Sequence, residues 1–214
     1  MDPPPALAGR TLILRHGETV FNAAIRLQGD AAHTPLTRRG FAQMDSIGAA
    51  LRSNLGERPA LSVWTSDAGR ARQSWAVIAE HLGLDWFDAR VDPRLTEIGL
   101  GEWGGRLYAE LSADGVAIDP ATGWLDGRAP CGEWFGDVAA RLSDWVADAR
   151  DDPGDRLVVM HGMSSRVLRG LLTGAVLVPS AGVGLAPAVA QGSVMAIEGG
   201  VESLIVAGDG GVSA

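Results

Sequence analysis

The sequence contains no lysine, so its 18 basic residues are all arginines. Lysine is required for Schiff-base catalysis and for the Walker-type phosphate loop, and both are therefore excluded. There is a single cysteine, Cys131, which excludes an intramolecular disulfide and a zinc site built from cysteines. The chain is thus neither a lysine-dependent enzyme nor a disulfide-bonded scaffold.

An excess of positive charge is also missing, because 26 acidic residues give a net charge of −8 at pH 7. A protein of that sign repels the phosphate backbone of nucleic acids, so no nucleic-acid partner is expected. The hydrophobic fraction of 46% is that of a globular protein, and 214 residues are enough for a core that is stable without disulfides or a structural metal. We expect one domain over residues 1–214.

No membrane partner is expected either. The longest uncharged stretch, residues 170–197, contains Pro179, Pro187 and Gln191, which do not suit a membrane helix. The first residues, Met-Asp-Pro-Pro-Pro, lack the basic and apolar regions of a signal peptide. The expectation is a cytoplasmic protein, and a homodimer is compatible with the sequence.

Short apolar runs alternate with amphipathic helical patterns along the chain. Strands are predicted at residues 11–14, 61–64, 86–91, 157–160, 189–197 and 203–206. Helices are predicted from the cap Thr37 to about Leu55, from Ser66 or Asp67 to Leu82, from Asp137 onwards, and over residues 164–172. This order predicts an α/β fold, a three-layer α/β/α sandwich around a mostly parallel central sheet.

Two segments lack clear periodicity. Residues 99–136 are rich in glycine and are predicted to form a lid insertion, with a short helix near residues 107–111. Residues 208–214 are small and are predicted to form a flexible tail.

Two of the predicted strands end in a histidine followed by a glycine. His16 and Gly17 follow the first strand and its Arg15, and His161 and Gly162 follow the fourth. In a parallel sheet ligands bind outside the carboxyl ends of the strands, so both histidines should open onto one crevice. The glycines would let backbone N–H groups approach a ligand, and the helix after His161 would point its positive end there.

A second cation is predicted at the same edge. Arg70 lies in the first turns of the helix that follows the second strand, so it can converge with Arg15 on one anion. Guanidinium groups bind phosphate oxygens through paired N–H donors. Two imidazoles, two guanidiniums and helix N-termini together indicate a phosphoryl-binding site.

Further strings surround these residues in a fixed order. They are Arg15-His16-Gly17-Glu18-Thr19, Asn22, Arg26, Gln28-Gly29, Leu36-Thr37, Gly40, Gln43, Thr65-Ser66, Arg70-Ala71-Arg72-Gln73, Leu95-Thr96-Glu97-Ile98, Gly101-Glu102-Trp103 and Val159-Met160-His161-Gly162. As a set, from about residue 10 to residue 172, they resemble the histidine phosphatase superfamily, also called phosphoglycerate mutase-like.

The resemblance implies a mechanism. His16 would attack phosphorus as a neutral imidazole and become phosphohistidine, which divides one hard step into two. Arg15, Arg70 and His161 would hold the equatorial oxygens, where transition-state charge sits. Glu97 would protonate the leaving group, for which it should be partly buried.

The resemblance also implies residues that bind the substrate. Asn22, Gln28 and Gly29 match positions that contact substrate phosphate in this family, and Thr19 would orient groups around the nucleophile. Gly17 and Gly162 would contribute backbone. No metal and no cofactor are implied, and the sequence contains no HExxH motif or cysteine cluster.

Several residues keep two interpretations. Arg26 either contacts substrate or makes a surface salt bridge. Arg106, Trp124, Arg128 and Trp134 either meet the leaving group or pack the lid, and packing is favoured because tryptophan is mostly buried.

The activity also keeps alternatives. Glu97-Ile98-Gly99-Leu100-Gly101 differs from the Glu-Arg-His-Tyr-Gly string of the mutases and resembles the phosphatase branch. The favoured function is hydrolysis of small-molecule phosphate esters. The alternatives are a phosphoglycerate mutase and a catalytically inactive binding protein.

Overall fold

A central six-stranded sheet organises the protein in a computed structural model, which describes residues 7–119, 124–125 and 127–211. The strands are β1 Thr11–Arg15, β2 Leu61–Thr65, β3 Arg90–Val91, β4 Ile118–Asp119, β5 Trp124–Leu125, β6 Asp155–Met160, β7 Leu177–Val178, β8 Val183–Gly184, β9 Val194–Glu198 and β10 Val201–Val206. The helices are α1 Val20–Ala23, α2 Arg38–Leu55, α3 Gly69–Leu82, α4 Tyr108–Ala113, α5 Phe135–Ala149 and α6 Gly162–Thr173.

The strands of the central sheet lie in the order β10-β9-β1-β6-β2-β3. β1, β6, β2 and β3 are parallel to one another, whereas β9 and β10 are antiparallel to their neighbours. The predicted mostly parallel sheet is therefore confirmed. The small pairs β4–β5 and β7–β8 lie outside it.

The sheet is covered by helices on both faces, which confirms the predicted three layers. Successive side chains of a strand point to opposite faces. Leu12 and Leu14 of β1 accordingly pack into a cluster with α2 and α3, while Ile13 packs into a second cluster with α5 and α6. Because both faces of β1, β2 and β6 are covered, these strands read as continuous apolar runs.

Three helices begin at other residues than predicted. α3 begins at Gly69, because Oγ of Ser66 accepts from the N–H of Ala68 and holds a turn before the helix. α5 begins two residues before Asp137, whose carboxylate accepts from the N–H of Trp134. α6 begins at Gly162 rather than at residue 164.

Other local predictions need correction. Only Arg90–Val91 of the predicted strand 86–91 pairs with the sheet, because Asp85 accepts from the N–H of Phe87 and starts a 3₁₀ turn over Trp86–Asp88. The last two strands begin at Val194 and Val201. Neither helix α1 nor the hairpin β7–β8 was predicted.

The segment from Gly208 to Gly211 makes hydrogen bonds to the rest of the chain, and the flexible tail over residues 208–214 stays a prediction. The N–H of Gly208 donates to Oγ of Ser193, and the carbonyl of Gly211 accepts from the N–H of Gln191. Residues 212–214 lie outside the described part of the chain. Among the helices that the structure describes, none is long and apolar enough to cross a membrane.

Candidate active site

The nucleophile candidate lies at the carboxyl end of the sheet. β1 and β6 are adjacent and parallel, and the N–H of His16 donates to the carbonyl of Met160 at 3.0 Å. The next residue after β6 is His161, and the two imidazole rings lie 5.2 Å apart between centroids. The two strand–histidine–glycine segments therefore meet, as the parallel-sheet rule predicts.

His16 is held as a neutral imidazole. Its Nδ1 lies 2.7 Å from the carbonyl oxygen of Gly17, which can only accept, so Nδ1 carries the proton and Nε2 has the lone pair. Burial lowers the pKa of His16 well below its ordinary value, and the positive charges of Arg70 and Arg15 lower it further. The ring of His16 lines a pocket. Because Nδ1 carries the proton, Nε2 has the unshared electron pair that a nucleophile requires.

His161 has the opposite tautomer. Nε of Arg70 donates to Nδ1 of His161 at 3.1 Å, so Nε2 carries the proton and donates to Oγ of Ser66 at 2.8 Å. Burial lowers the pKa of His161 well below its ordinary value, and Arg70 adds to this effect. Since protein groups engage both ring nitrogens, His161 orients Arg70 in this arrangement.

Arg70 is the best-connected cation of the site. Its terminal nitrogens donate to the carbonyls of Gly29 and Ala31 and to Oγ1 of Thr34, at 2.6 to 3.0 Å. Burial lowers the pKa of Arg70 to about 10, against the opposing effect of Glu97. The guanidinium therefore stays charged at neutral pH and joins residues 29–34 to His161.

Arg15 is the second cation. It is buried, and its Nη1 donates to the carbonyl of Val189 at 3.2 Å and weakly to that of Gly211 at 3.4 Å. Burial lowers the pKa of Arg15 from its ordinary value, while Glu97 raises it. The segment at residues 208–211 thus contributes to the support of Arg15.

Glu97 shares the pocket with His16 and is more fully buried than predicted, with 6% of its surface exposed. Its Oε1 accepts from the N–H groups of Ile98 and Ser164, and its Oε2 accepts from that of Met163. The positive end of α6 was expected to face the ligand, but its N–H groups bind this carboxylate. A helix N-terminus stabilises negative charge, so Glu97 is fixed in position by α6.

Arg141 of α5 forms a clamp on the segment that carries Glu97. Its three guanidinium nitrogens donate to the carbonyls of Arg94, Thr96 and Glu97 and to both carboxylate oxygens of Glu133. The carboxylate of Glu133 also accepts from the N–H of Gly99. Although burial opposes it, these bonds lower the pKa of Glu133 from its ordinary value.

The substrate-binding residues implied by the resemblance are partly brought together. Gln28 and Gly29 line the pocket, and Oε1 of Gln28 lies 2.5 Å from Oγ1 of Thr19. Thr19 caps α1, and Oδ1 of Asn22 accepts from Nε2 of Gln191. Thr19 and Asn22 are not among the residues that line the pocket, and their side chains bond to each other, to Gln28 and to Gln191.

Gly162 and Gly17, which follow the two histidines, are needed for different steric reasons. A Cβ on Gly162 would lie 3.3 Å from Cζ of Arg15, so this glycine makes room for the cation. Gly17 instead packs on α2, where a Cβ would lie 2.6 Å from the carbonyl oxygen of Gly40. The N–H of Gly17 donates to Oγ of Ser74 and is not directed at a ligand.

Five pocket residues were not identified from the sequence. They are Leu27, Ile98, Leu100, Tyr108 and Met163. Burial raises the pKa of Tyr108 to about 12, so its hydroxyl stays protonated. The chain's single tyrosine beside a predicted lid helix was the one signal for this group.

Comparison with known families decides the classification. A family model described as histidine phosphatase superfamily (branch 1) matches residues 11–202. The chain belongs to the histidine phosphatase superfamily.

Curated relatives of this superfamily have mutase names. "Probable phosphoglycerate mutase GpmB" of Erwinia tasmaniensis is 34% identical over 166 residues, which are 76% of this chain and 74% of the relative. The GpmB protein of Klebsiella pneumoniae is likewise 34% identical over 166 residues, with the same shares of both chains.

Solved structures in the superfamily include a phosphatase. The mycobacterial glucosyl-3-phosphoglycerate phosphatase Rv2419c, complexed with VO3, aligns with a TM-score of 0.71 and 27% identity, covering 92% of this chain and 97% of that one. The protein TTHB049 from Thermus thermophilus aligns with a TM-score of 0.60 and 26% identity, covering 88% and 93%. The chain is thus a histidine phosphatase superfamily enzyme, a phosphatase or a mutase.

Residues with two interpretations can be placed within this histidine phosphatase fold. Arg26 donates to the carbonyl of Gly105. Arg106 forms an ion pair with Asp114 at the end of α4, and Arg128 forms one with Asp137 of α5. Trp134 packs against the core, as the favoured interpretation predicts, and the side chain of Trp124 lies outside the described residues.

The described side chains form no cluster of three histidine, cysteine, aspartate or glutamate residues that could hold a metal ion. The cations that act on the His16 ring are Arg15, which lines the pocket, and Arg70, which is not among the lining residues.

Proposed function

We propose that the protein is a phosphatase that hydrolyses small-molecule phosphate monoesters through a phosphohistidine on His16. The observation that carries the proposal is the neutral, buried His16, whose protonated Nδ1 leaves Nε2 as the nucleophile in the pocket it shares with Glu97. Arg15 and Arg70 supply positive charge beside it. Metal ions are not needed in this scheme.

The proposed reaction has two displacements. Nε2 of His16 attacks phosphorus, the bond from phosphorus to the ester oxygen breaks, and Glu97 gives its proton to the leaving alcohol. Water then attacks phosphorus, its proton returns to Glu97, and the bond from phosphorus to Nε2 breaks to release phosphate. The two guanidiniums stabilise the charge on the equatorial oxygens in both steps.

Hydrolysis is favoured over a mutase reaction by two observations. The residues after Glu97 differ from the mutase string, and the similarity to the phosphatase Rv2419c extends over nearly the whole chain. The names of the curated relatives support phosphoglycerate mutase as the second candidate. An inactive binding protein is disfavoured because the nucleophile and acid positions are both filled.

The test is phosphate release from 4-nitrophenyl phosphate and a panel of monoesters in the presence of EDTA, with wild type beside His16→Ala. We expect release by wild type, its loss to background in His16→Ala, and no effect of EDTA. His81→Ala is the matched control, since His81 lies outside the pocket and contacts Asp45. Isomerisation of phosphoglycerate without phosphate release would favour the mutase, and restoration of activity only by added metal would contradict the metal-free mechanism.

A further inference from the structure

The wall of the pocket beyond the reacting groups is apolar. Leu27, Ile98, Leu100 and Met163 are buried residues of the cluster under α5 and α6, and the ring of Tyr108 packs against the same cluster. The remaining lining residues are Gln28, Gly29, Gly162 and the reacting groups Arg15, His16 and Glu97. The leaving alcohol of a substrate must therefore lie against hydrocarbon.

This wall contains no cation for a second anionic group. Among the residues that line the pocket, Arg15 is the one arginine, and it lies beside the nucleophile. The residues outside the described ranges, and those of the lid whose side chains are not described, include no arginine, lysine or histidine. Every arginine and histidine of the chain therefore lies among the residues whose side chains the structure describes.

The arginines of the neighbouring segments are engaged elsewhere. Their partners are the carbonyl of Gly105 for Arg26, Asp114 for Arg106, Asp137 for Arg128 and the carbonyl of Ala186 for Arg166. Arg166 also contacts the sulfur of Met163, but it is not part of the pocket wall. The positive charge of the site is thus confined to the end that receives the transferred phosphoryl group.

A substrate with a second carboxylate or phosphate meets an unfavourable environment. The second anion would lie beside Glu97 and among apolar side chains, where an unpaired charge is strongly disfavoured. An uncharged aryl or alkyl group instead gains from leaving water. The neutral hydroxyl of Tyr108 adds one polar group without adding charge.

We propose that the pocket selects phosphate monoesters of uncharged, apolar alcohols and discriminates against esters whose alcohol has a second negative charge. This inference rests on the proposed phosphatase function and defines its substrate class. One property of the pocket sets the selection: its cations lie only at the end near His16.

Two matched pairs of esters test the selection. The pairs are benzyl phosphate with 4-carboxybenzyl phosphate, in which a carboxylate is added to the ring, and glycerol 3-phosphate with 3-phosphoglycerate, in which a carboxylate replaces an uncharged hydroxymethyl group. We expect kcat/KM to be at least about tenfold higher for the uncharged member of each pair. Higher salt should reduce the difference only slightly, because the pocket is buried.

A substitution tests the cause. Tyr108→Arg puts a cation on the wall at a half-buried position, and we expect it to raise kcat/KM for 4-carboxybenzyl phosphate relative to benzyl phosphate about tenfold or more. Phe87→Arg, which likewise replaces an aromatic side chain but at an exposed position outside the pocket lining, is the control and should leave the ratio unchanged.

The outcomes separate this inference from the function on which it rests. Equal kcat/KM values within both wild-type pairs, or a preference for the carboxylated members, overturn the selection while leaving the phosphatase in place. Release of phosphate from no ester at all overturns the phosphatase and the selection together.

Discussion

At the scale of single residues, Glu97 is the group whose surroundings most constrain the chemistry. Oε1 accepts two backbone N–H groups, which occupies both of its lone pairs, whereas Oε2 accepts one. A proton therefore has room on Oε2 without the loss of a hydrogen bond. In the proposed reaction Oε2 is therefore the oxygen that carries the proton.

Glu97→Gln should separate substrates by their leaving groups. Alkyl phosphates need a proton on the departing oxygen, so we expect their kcat to fall about 10²- to 10⁴-fold, whereas 4-nitrophenyl phosphate, whose phenolate leaves unaided, should lose much less. Steady-state kinetics on both esters measures the difference. Glu102→Gln, an exposed glutamate in the same segment, is the control, and equal losses on the two esters would argue against Glu97 as the acid.

Sequence reasoning at this scale succeeds where a side chain directly follows a strand. His16 and His161 could be placed together because β1 and β6 are apolar runs whose ends meet in a parallel sheet. Tyr108 could not, because it reaches the pocket through backbone pairing of residues 25–27 with residues 105–108. Such pairing is a long-range property without a local pattern.

At the scale of elements, α5 acts on the site without touching the pocket. Arg141 uses donors on all three guanidinium nitrogens, and the three backbone carbonyls that it binds lie in the short segment ending at Glu97. Glu133 closes the ring by accepting from the N–H of Gly99. Arg141 is therefore a positioning residue for Glu97.

Arg141→Ala should reproduce the substrate pattern of Glu97→Gln in weaker form. Misplacement of the acid by about 1 Å can cost up to about 10²-fold, and the cost should fall mainly on alkyl phosphates. Arg141→Lys should recover part of the activity, because its ammonium can still reach some of the carbonyls. Arg150→Ala, at the end of the same helix, is the control. If Arg141→Ala lowered the activity on all esters equally and in proportion to its loss of Tm, Arg141 would be only structural.

The same scale explains which elements could be predicted. Residues 38–55 have a clear helical period, and the core strands are continuous apolar runs. The predicted bounds of α2, β1, β2 and β6 are therefore close to the observed ones. The formation of two-residue strands such as β7 and β8 depends on pairing with a distant segment or on a turn, and not on a local sequence pattern. The starts of α3 and α5 depend on side chains that hold the preceding turn, such as Ser66, rather than on the helical pattern.

At the scale of the whole molecule, the two buried histidines affect stability. Burial and the neighbouring arginines lower the pKa of His16 and of His161 well below the 6.5 of an unfolded chain. Between those values the unfolded state binds protons that the folded state does not, so unfolding becomes easier as the pH falls below about 6.5. The corresponding stability is fully present above that pH.

The free energy of unfolding should therefore decrease between pH 6.5 and pH 5.5, by up to about 1.4 kcal/mol per pH unit for each histidine. Urea unfolding of wild type, His16→Gln and His161→Gln measures this dependence. Each substitution removes one proton-binding group, so the slope should fall by about half. An unchanged slope in both variants would mean that the histidines do not set it.

The order of strands in the sheet has a consequence for biosynthesis. In β1, which leads to His16, Thr11 pairs with Arg156 on one side and with Ile197 on the other. The ribosome therefore makes this apolar strand long before either neighbour, and a nascent chain that exposes an unpaired strand is prone to aggregate. The strand that leads to His16 therefore gains its second partner only when β9 emerges, after most of the described residues have been made.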